Sequence, residues 1–185
     1  CTLFPYTTLF RSPDISLGFY ESPYPYEWLL SPELLKWCAE FDNIRFLKDT
    51  SCDLKQLKAK EKAIKNSNLK IFNANTATLL ESLKSGISGY SGVMGNFHPE
   101  LYQWLIRNWR ENIEEAEKLQ NFLSLSSIIE RQYYPVNAKY FLQLEGIEIK
   151  LNSRTQKPNK FQPSFKLEVE QFRKLSKRYS QEYLL

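Results

Sequence analysis

The stretch "NIRFLKDTSCDLKQL" (residues 43–57) decides how the chain is read. A short apolar run closes on Lys48, turn residues follow, and Asp53 stands where it can cap a helix beginning at Leu54. That is a strand, a turn and a helix within fifteen residues. The same grammar appears on both sides. Upstream, "DISLGFYE" (14–21) reads as a strand, and "SPELLKWCAEF" (31–41) as a helix with Ser31 as N-cap and Pro32 at its first position. Leu34, Leu35, Cys38 and Phe41 are expected on its apolar face. The helix "LKQLKAKEKAIKNS" (54–67) carries lysines and a glutamate expected at the surface.

Downstream, "LKIFNAN" (69–75) predicts a third strand and "TATLLESLKSG" (76–86) a third helix stopped by Gly86. "GYSGVMGN" (89–96) predicts a fourth strand, with glycines where something approaches the backbone closely. Residues 98–132 read as helical throughout, with His98 capping behind Pro99. The order β-α-β-α-β-α-β-α predicts a parallel sheet wrapped by helices. Four such units are half of an eight-stranded barrel, whose whole takes about 250 residues. A compact doubly wound fold is the structural alternative and ranks below it. The expected organisation is a foreign segment over 1–12, the second half of a barrel over 13–132, and a helical region with a basic tail over 133–185.

Residues 2–12, "TLFPYTTLFRS", lack the basic, apolar and cleavage-site order of a targeting peptide. They read instead like the in-frame translation of a DNA sequencing adapter. The native sequence is therefore expected to start near Pro13, from a gene cut upstream.

Composition narrows the function. The 185 residues, 42% hydrophobic and 25% charged, suit a globular domain, and no apolar run nears the roughly 18 residues of a membrane span. Three cysteines (Cys1, Cys38 and Cys52) in no metal-binding spacing fit a reducing cytoplasm, the expected location. His98, the single histidine, excludes a multi-histidine metal site, and neither metal nor cofactor is expected. From Glu148 onward nine Lys/Arg face four Asp/Glu, and Phe161 and Phe165 interleave with the lysines. Such a tail could touch phosphate, but it is ranked as a solvated surface and no nucleic-acid partner is expected.

Two residues carry candidate chemistry. Lys48, placed on one strand face with Ile44 and Phe46, would lose hydration there, and a free amine can form a Schiff base with a carbonyl compound. Tyr20 ends the preceding strand, on the face of Ser16 and Gly18, and would project from the same rim. A phenol beside a Schiff-base carbon can relay a proton. The plainer alternatives are a lysine reaching into solvent and a core tyrosine bonded to backbone.

"GFYESPYPY" (18–26), "RFLKDTSCDL" (45–54) and "FNANTATLLESLKSGISGYSGVMGNFHPELY" (72–102) together resemble the dihydrodipicolinate synthase / N-acetylneuraminate lyase family. The resemblance covers about residues 14–149. It implies the C-terminal half of a (β/α)8 barrel followed by C-terminal helices, with Lys48 forming the Schiff base with pyruvate or another 2-keto acid and Tyr20 relaying protons. It also implies an aldehyde as second reactant and homo-oligomers, commonly tetramers. Two departures bear on substrate. Pro25 stands where members making dihydrodipicolinate usually carry a carboxylate-clamping arginine. Asn75 and Thr76 stand where sialic acid lyases tend to have an acidic pair. Asn73, Asn75, Val93 and Asn96 are the expected substrate contacts, the asparagines offering amides to a polyhydroxylated keto acid. The reading is thus a truncated class I aldolase or lyase, inactive by itself because the carboxylate-binding loop and a second tyrosine belong to the missing half. The alternatives are dihydrodipicolinate synthase itself and a non-catalytic keto-acid or sugar-acid sensor.

Overall fold

The computed structural model describes residues 15–184; the stretch 1–12 and the first residue of the expected first strand lie outside them. The chain divides between Ser91 and Gly92 into two compact units.

In the first unit four parallel strands lie in sequence order: β1 (Leu17–Tyr20), β2 (Ile44–Asp49), β3 (Lys70–Asn73) and β4 (Gly89–Tyr90). Each crossover carries a helix: α1 (Pro32–Cys38), α2 (Leu54–Ile64) and α3 (Leu79–Lys84). The local signals act as read. The Ser31 hydroxyl accepts from the Leu34 amide at 3.2 Å, and the Asp53 carboxylate accepts from Lys55 N at 2.8 Å. Gly86 takes a positive φ of 105° just past α3, a conformation open to glycine.

Leu35 and Cys38 of α1, Leu57 and Ile64 of α2, and Leu47 and Ile71 of the sheet form one buried cluster. Asn73 of β3 bonds Ser82 of α3 at 3.1 Å. All three helices therefore cover one face of the sheet. A doubly wound fold would split them between both faces, so that alternative is excluded for this unit. The opposite face carries Gly18, Tyr20, Phe46, Lys48 and Phe72, all exposed or half-buried. Phe46 and Phe72 meet there with ring centroids 5.1 Å apart.

Three sequence expectations change. Leu17 pairs with Ile44 but Gly18 pairs with Phe46, so β2 holds one extra residue, Arg45. That slip turns Ile44 into the helix-side cluster, leaving Lys48 with Phe46 alone of its two expected strand neighbours. Leu34 is exposed, because seven residues of helix bury only Leu35 and Cys38. Of "GYSGVMGN" only two residues are strand, and Val93–Asn96 is a 3-10 turn. The Asn96 amide donates to Val93 O at 2.9 Å and closes that turn, competing with extended structure.

The second unit is helical: α4 (Pro99–Asn108), α5 (Ile113–Ser126), α6 (Glu130–Tyr133), α7 (Val136–Leu144) and α8 (Pro163–Leu184). The expected continuous helix over 98–132 breaks at Asn112, whose ψ of 58° is not helical, and Tyr134 is extended ahead of Pro135. His98 occupies the cap position of α4 without a side-chain capping bond. Its Nδ1 meets Ser176 Oγ at 2.9 Å, and its ring lies among Tyr102, Phe122 and Phe172. Phe161 of the basic tail is buried, against Tyr133 and Tyr140.

Two outcomes follow from this packing. A β-carbon at Gly18 would lie 2.8 and 2.9 Å from Phe46 Cδ1 and Cβ, so Gly18→Ala is expected to cost about 1–3 kcal/mol in urea unfolding. An unchanged midpoint would mean that Phe46 has room to move. Burial pushes the His98 imidazole down to about 3, whereas the unfolded chain takes up that proton near 6.5. The unfolded state binds the extra proton between those values. The stability from neutral His98 is therefore complete above pH 6.5 and falls by about 1.4 kcal/mol per pH unit toward pH 3. His98→Phe should remove that share of the acid slope, measured as the difference between the two stability–pH curves.

Candidate active site

At the C-terminal rim of the sheet Tyr20 pairs with Lys48, and Lys48 with Phe72. The two expected catalytic residues therefore meet. Lys48 Nζ lies 4.5 Å from the centre of the Tyr20 ring, a cation–π distance. The contact is to the ring face, and no hydrogen bond joins the amine to the phenol oxygen. Among the described residues no carboxylate forms an ion pair with Lys48. Its half-buried position between aromatic side chains penalises the ammonium form and lowers its pKa from the usual lysine value. An amine so placed is a candidate nucleophile.

Beneath this rim, on the helix side, lies a group that sequence reasoning missed. Lys60 of α2, expected at the surface, is 1% exposed. Its Nζ is 2.6 Å from Glu21 Oε1 and 2.6 Å from Asp49 Oδ2, both carboxylates being equally buried. Backbone and hydroxyl donors complete the two carboxylates. Glu21 Oε1 also accepts from Leu30 N at 2.8 Å, and Oε2 accepts from Thr50 N at 3.4 Å. Asp49 Oδ1 accepts from the amide and hydroxyl of Ser51, at 3.0 and 2.7 Å. The Thr50 hydroxyl donates to the Glu21 carbonyl, and Glu21 N donates to Lys48 O at 3.2 Å. Burial is the main influence on Glu21 and raises its carboxyl pKa, against the lowering effect of Lys60. The signal in the sequence was helical spacing: Leu57, Lys60 and Ile64 share one face, so that face was never all apolar.

The expected substrate contacts separate. Asn73 is fully buried on the helix side. Its amide donates to Thr78 Oγ1 at 2.9 Å and Ser82 Oγ at 3.1 Å, and its oxygen accepts from Asn75 N at 2.7 Å. Those bonds shape the turn into α3, and the expected contact of Asn73 with substrate is corrected on that ground. It points away from the face of Lys48 because side chains alternate along a strand. Asn75 is half-buried, its oxygen accepting from the amide and hydroxyl of Thr78 at 3.1 Å each. Thr76 Oγ1 and Tyr90 OH are 2.8 Å apart. Val93 and Asn96 belong to the second unit, half-buried and exposed respectively. Cys52, at the exposed turn after β2, has a φ of 54°. The loop from Glu21 to Ser31 contains no Lys or Arg, and Tyr24, Tyr26 and Trp28 in it are largely exposed. Among the described residues no group of three or more His, Cys, Asp or Glu is disposed to hold a metal, and no helix is long and apolar enough to cross a membrane.

Solved structures share this fold. Dihydrodipicolinate synthase from Thermotoga maritima superposes with a TM-score of 0.79 at 19% identity, over 92% of this chain and 59% of its own. CdNal from Clostridium difficile, solved in complex with mannosamine, gives 0.79 at 20% identity, over 92% and 58%. YagE, a prophage protein of E. coli K12 in the dihydrodipicolinic acid synthase family, was solved in complex with pyruvate. It gives 0.75 at 20% identity, over 88% and 56%. The chain thus spans somewhat more than half the length of these proteins. A search of the curated proteins finds no match. The model of the dihydrodipicolinate synthetase family matches residues 6–176, a span that includes part of the 1–12 stretch. With its parallel sheet, lysine-ended second strand and long family match, the chain belongs to the dihydrodipicolinate synthetase family.

Proposed function

We propose that the chain is the second half of a (β/α)8 barrel whose intact form is a pyruvate-dependent class I aldolase or lyase. The observation that carries this reading is the Lys48 amine at the sheet rim, 4.5 Å above the Tyr20 ring and in no ion pair with a carboxylate among the described residues. Barrel active sites sit at the C-terminal ends of the strands, where both residues stand. Helices on one face only, with an uncovered inner face, are what half of a barrel would present.

In this mechanism the free amine of Lys48 adds to the keto carbon of a 2-keto acid and water leaves, forming an iminium. The C3–C4 bond then breaks and its electron pair passes into the iminium, giving an enamine. The Tyr20 phenol oxygen relays the proton of the C4 hydroxyl as that carbon departs as an aldehyde. Protonation at C3 and addition of water release pyruvate and restore the lysine. Run backwards, the same steps join pyruvate to an aldehyde. The Glu21–Ser31 loop, without a cation, favours a neutral and polyhydroxylated aldehyde over a charged one. Asn75, Val93 and Asn96 remain the proposed contacts to it. In this reading the intact protein is a cytoplasmic homo-oligomer, with the tetramer as the expected form. Dihydrodipicolinate synthase and a non-catalytic sensor are the competing readings. The first lacks its arginine at Pro25, and the second predicts binding without a covalent adduct.

Borohydride reduction with pyruvate, on the reading frame extended upstream of Pro13 to a whole barrel, tests the proposal. A reduced pyruvyl adduct is expected on the peptide containing Lys48, absent in Lys48→Ala, and forming faster as pH rises through the lowered pKa of the amine. A folded full-length protein that traps no pyruvate removes the aldolase reading and leaves the sensor. The 185-residue chain alone is expected to show little or no turnover of a keto-acid substrate; a rate equal to that of the full-length protein overturns that expectation.

A further inference from the structure

Glu21 directly follows Tyr20, and Asp49 directly follows Lys48. Because strand side chains alternate, the rim pair projects from one face of the sheet and the two carboxylates from the other. Both carboxylates close on the same ammonium, at 2.6 Å each. We propose that Lys60 is a positioning residue for the Lys48 amine: by gathering Glu21 and Asp49 into one buried triad, it holds the ends of β1 and β2 at one height and so sets Tyr20 against Lys48. The inference rests on reading Lys48 as the reacting amine.

Three observations support it. The pairing is tight where the rim needs it: Glu21 N donates to Lys48 O at 3.2 Å, and Glu21 Oε2 accepts from Thr50 N at 3.4 Å, so one residue ties β1 to both sides of Asp49. The site tolerates no slip. Moving either strand by one residue would turn a carboxylate out of the triad and leave the others buried and uncompensated, the costly state for charges out of water. The third is packing. Leu57 and Ile64, on either side of Lys60 along α2, lie in the buried cluster with Leu47, so the ammonium arrives on a rigid support.

The triad also sets the field around the amine. On its own strand Lys48 has Asp49 next to it and Arg45 three residues back. From the end of β1 and the residue after it come Tyr20 and Glu21, from α2 comes Lys60, and β3 opposes Lys48 with the uncharged Phe72. Without Lys60, any charge that Glu21 and Asp49 keep is no longer offset and would favour the Lys48 ammonium, and a loosened rim would hydrate it. Both effects raise the pH at which the amine becomes free.

The experiment uses the intact chain and needs no pyruvate. Brief pulses of acetic anhydride from pH 6 to 10, followed by peptide mass spectrometry, give the pH midpoint for acetylation of Lys48, with circular dichroism reporting folding. In Lys60→Met the midpoint is expected to rise by about one unit, which at neutral pH is about tenfold slower acetylation. Lys60→Arg, which keeps the cation, should retain a midpoint near that of the wild type. If Lys60→Met does not fold, Lys60→Gln, uncharged and one bond too short to span both carboxylates as the ammonium does, carries the same expectation. A folded Met or Gln variant with an unchanged or lower midpoint overturns the proposal, and so does an equal shift in Lys60→Arg. A triad serving stability alone would lower the unfolding temperature and leave the midpoint in place. Failure of wild-type pyruvate trapping with these shifts intact would remove the aldolase reading and leave the positioning role standing.

Discussion

One ammonium between two carboxylates organises the first unit. Lys60 comes from a helix, Asp49 from the end of β2 and Glu21 from the residue just past β1, separated by up to 39 residues of sequence, and all three are buried. Buried charges are stable only when paired and hydrogen-bonded, and breaking such a group by removing one partner costs about 3–5 kcal/mol. Here nearly every oxygen is spoken for: Leu30 N, Thr50 N and both donors of Ser51 complete the set. The satisfied group makes register a discrete choice. Apolar side chains could slide past one another with a modest loss, whereas these three have one arrangement that leaves none of them uncompensated.

The rim inherits that precision. The uncovered face carries the amine and the phenol; the covered face carries the charges that hold them level. Lys48 is therefore flanked by fixed charge without being paired to it, and burial against aromatic rings lowers its pKa. This is a different use of lysine from that of Lys60, whose ammonium is paired with Asp49, the residue next to Lys48. The family match and the shared fold bear on the chain as a whole, while Pro25 and the cation-free loop bear on its individual chemistry.

The second unit solves burial by another route. It places a neutral histidine among Tyr102, Phe122 and Phe172 and gives it one hydroxyl partner, Ser176. Phe161, in a segment rich in lysine, completes an aromatic cluster with Tyr133 and Tyr140. Basic composition on the outside and aromatic packing beneath come from the same short stretch of chain.

Much of this was legible in the residues. Short apolar runs bounded by turn residues, and helical patterns, placed all four strand positions and the first three helices, and Ser31 and Asp53 mark the starts of α1 and α2, because these signals act over a few residues. The spacing of Tyr20 and Lys48 on one rim was legible too, since both end predicted strands. What pattern could not reach were matters of partner. A one-residue slip at Arg45 moved Ile44 to the other face, and periodicity cannot see a slip set by a neighbouring strand. Asn73 read as an available amide and is consumed by Thr78 and Ser82. Lys60 read as one more surface lysine, because composition is blind to two carboxylates that only the folded sheet brings beside it. The sequence by itself determined the order of elements and the residues capable of chemistry, through local sterics and capping. Tertiary structure alone decided which lysine is buried as a structural cation and which stands free at the rim, because burial and charge pairing arise from contacts distant in sequence.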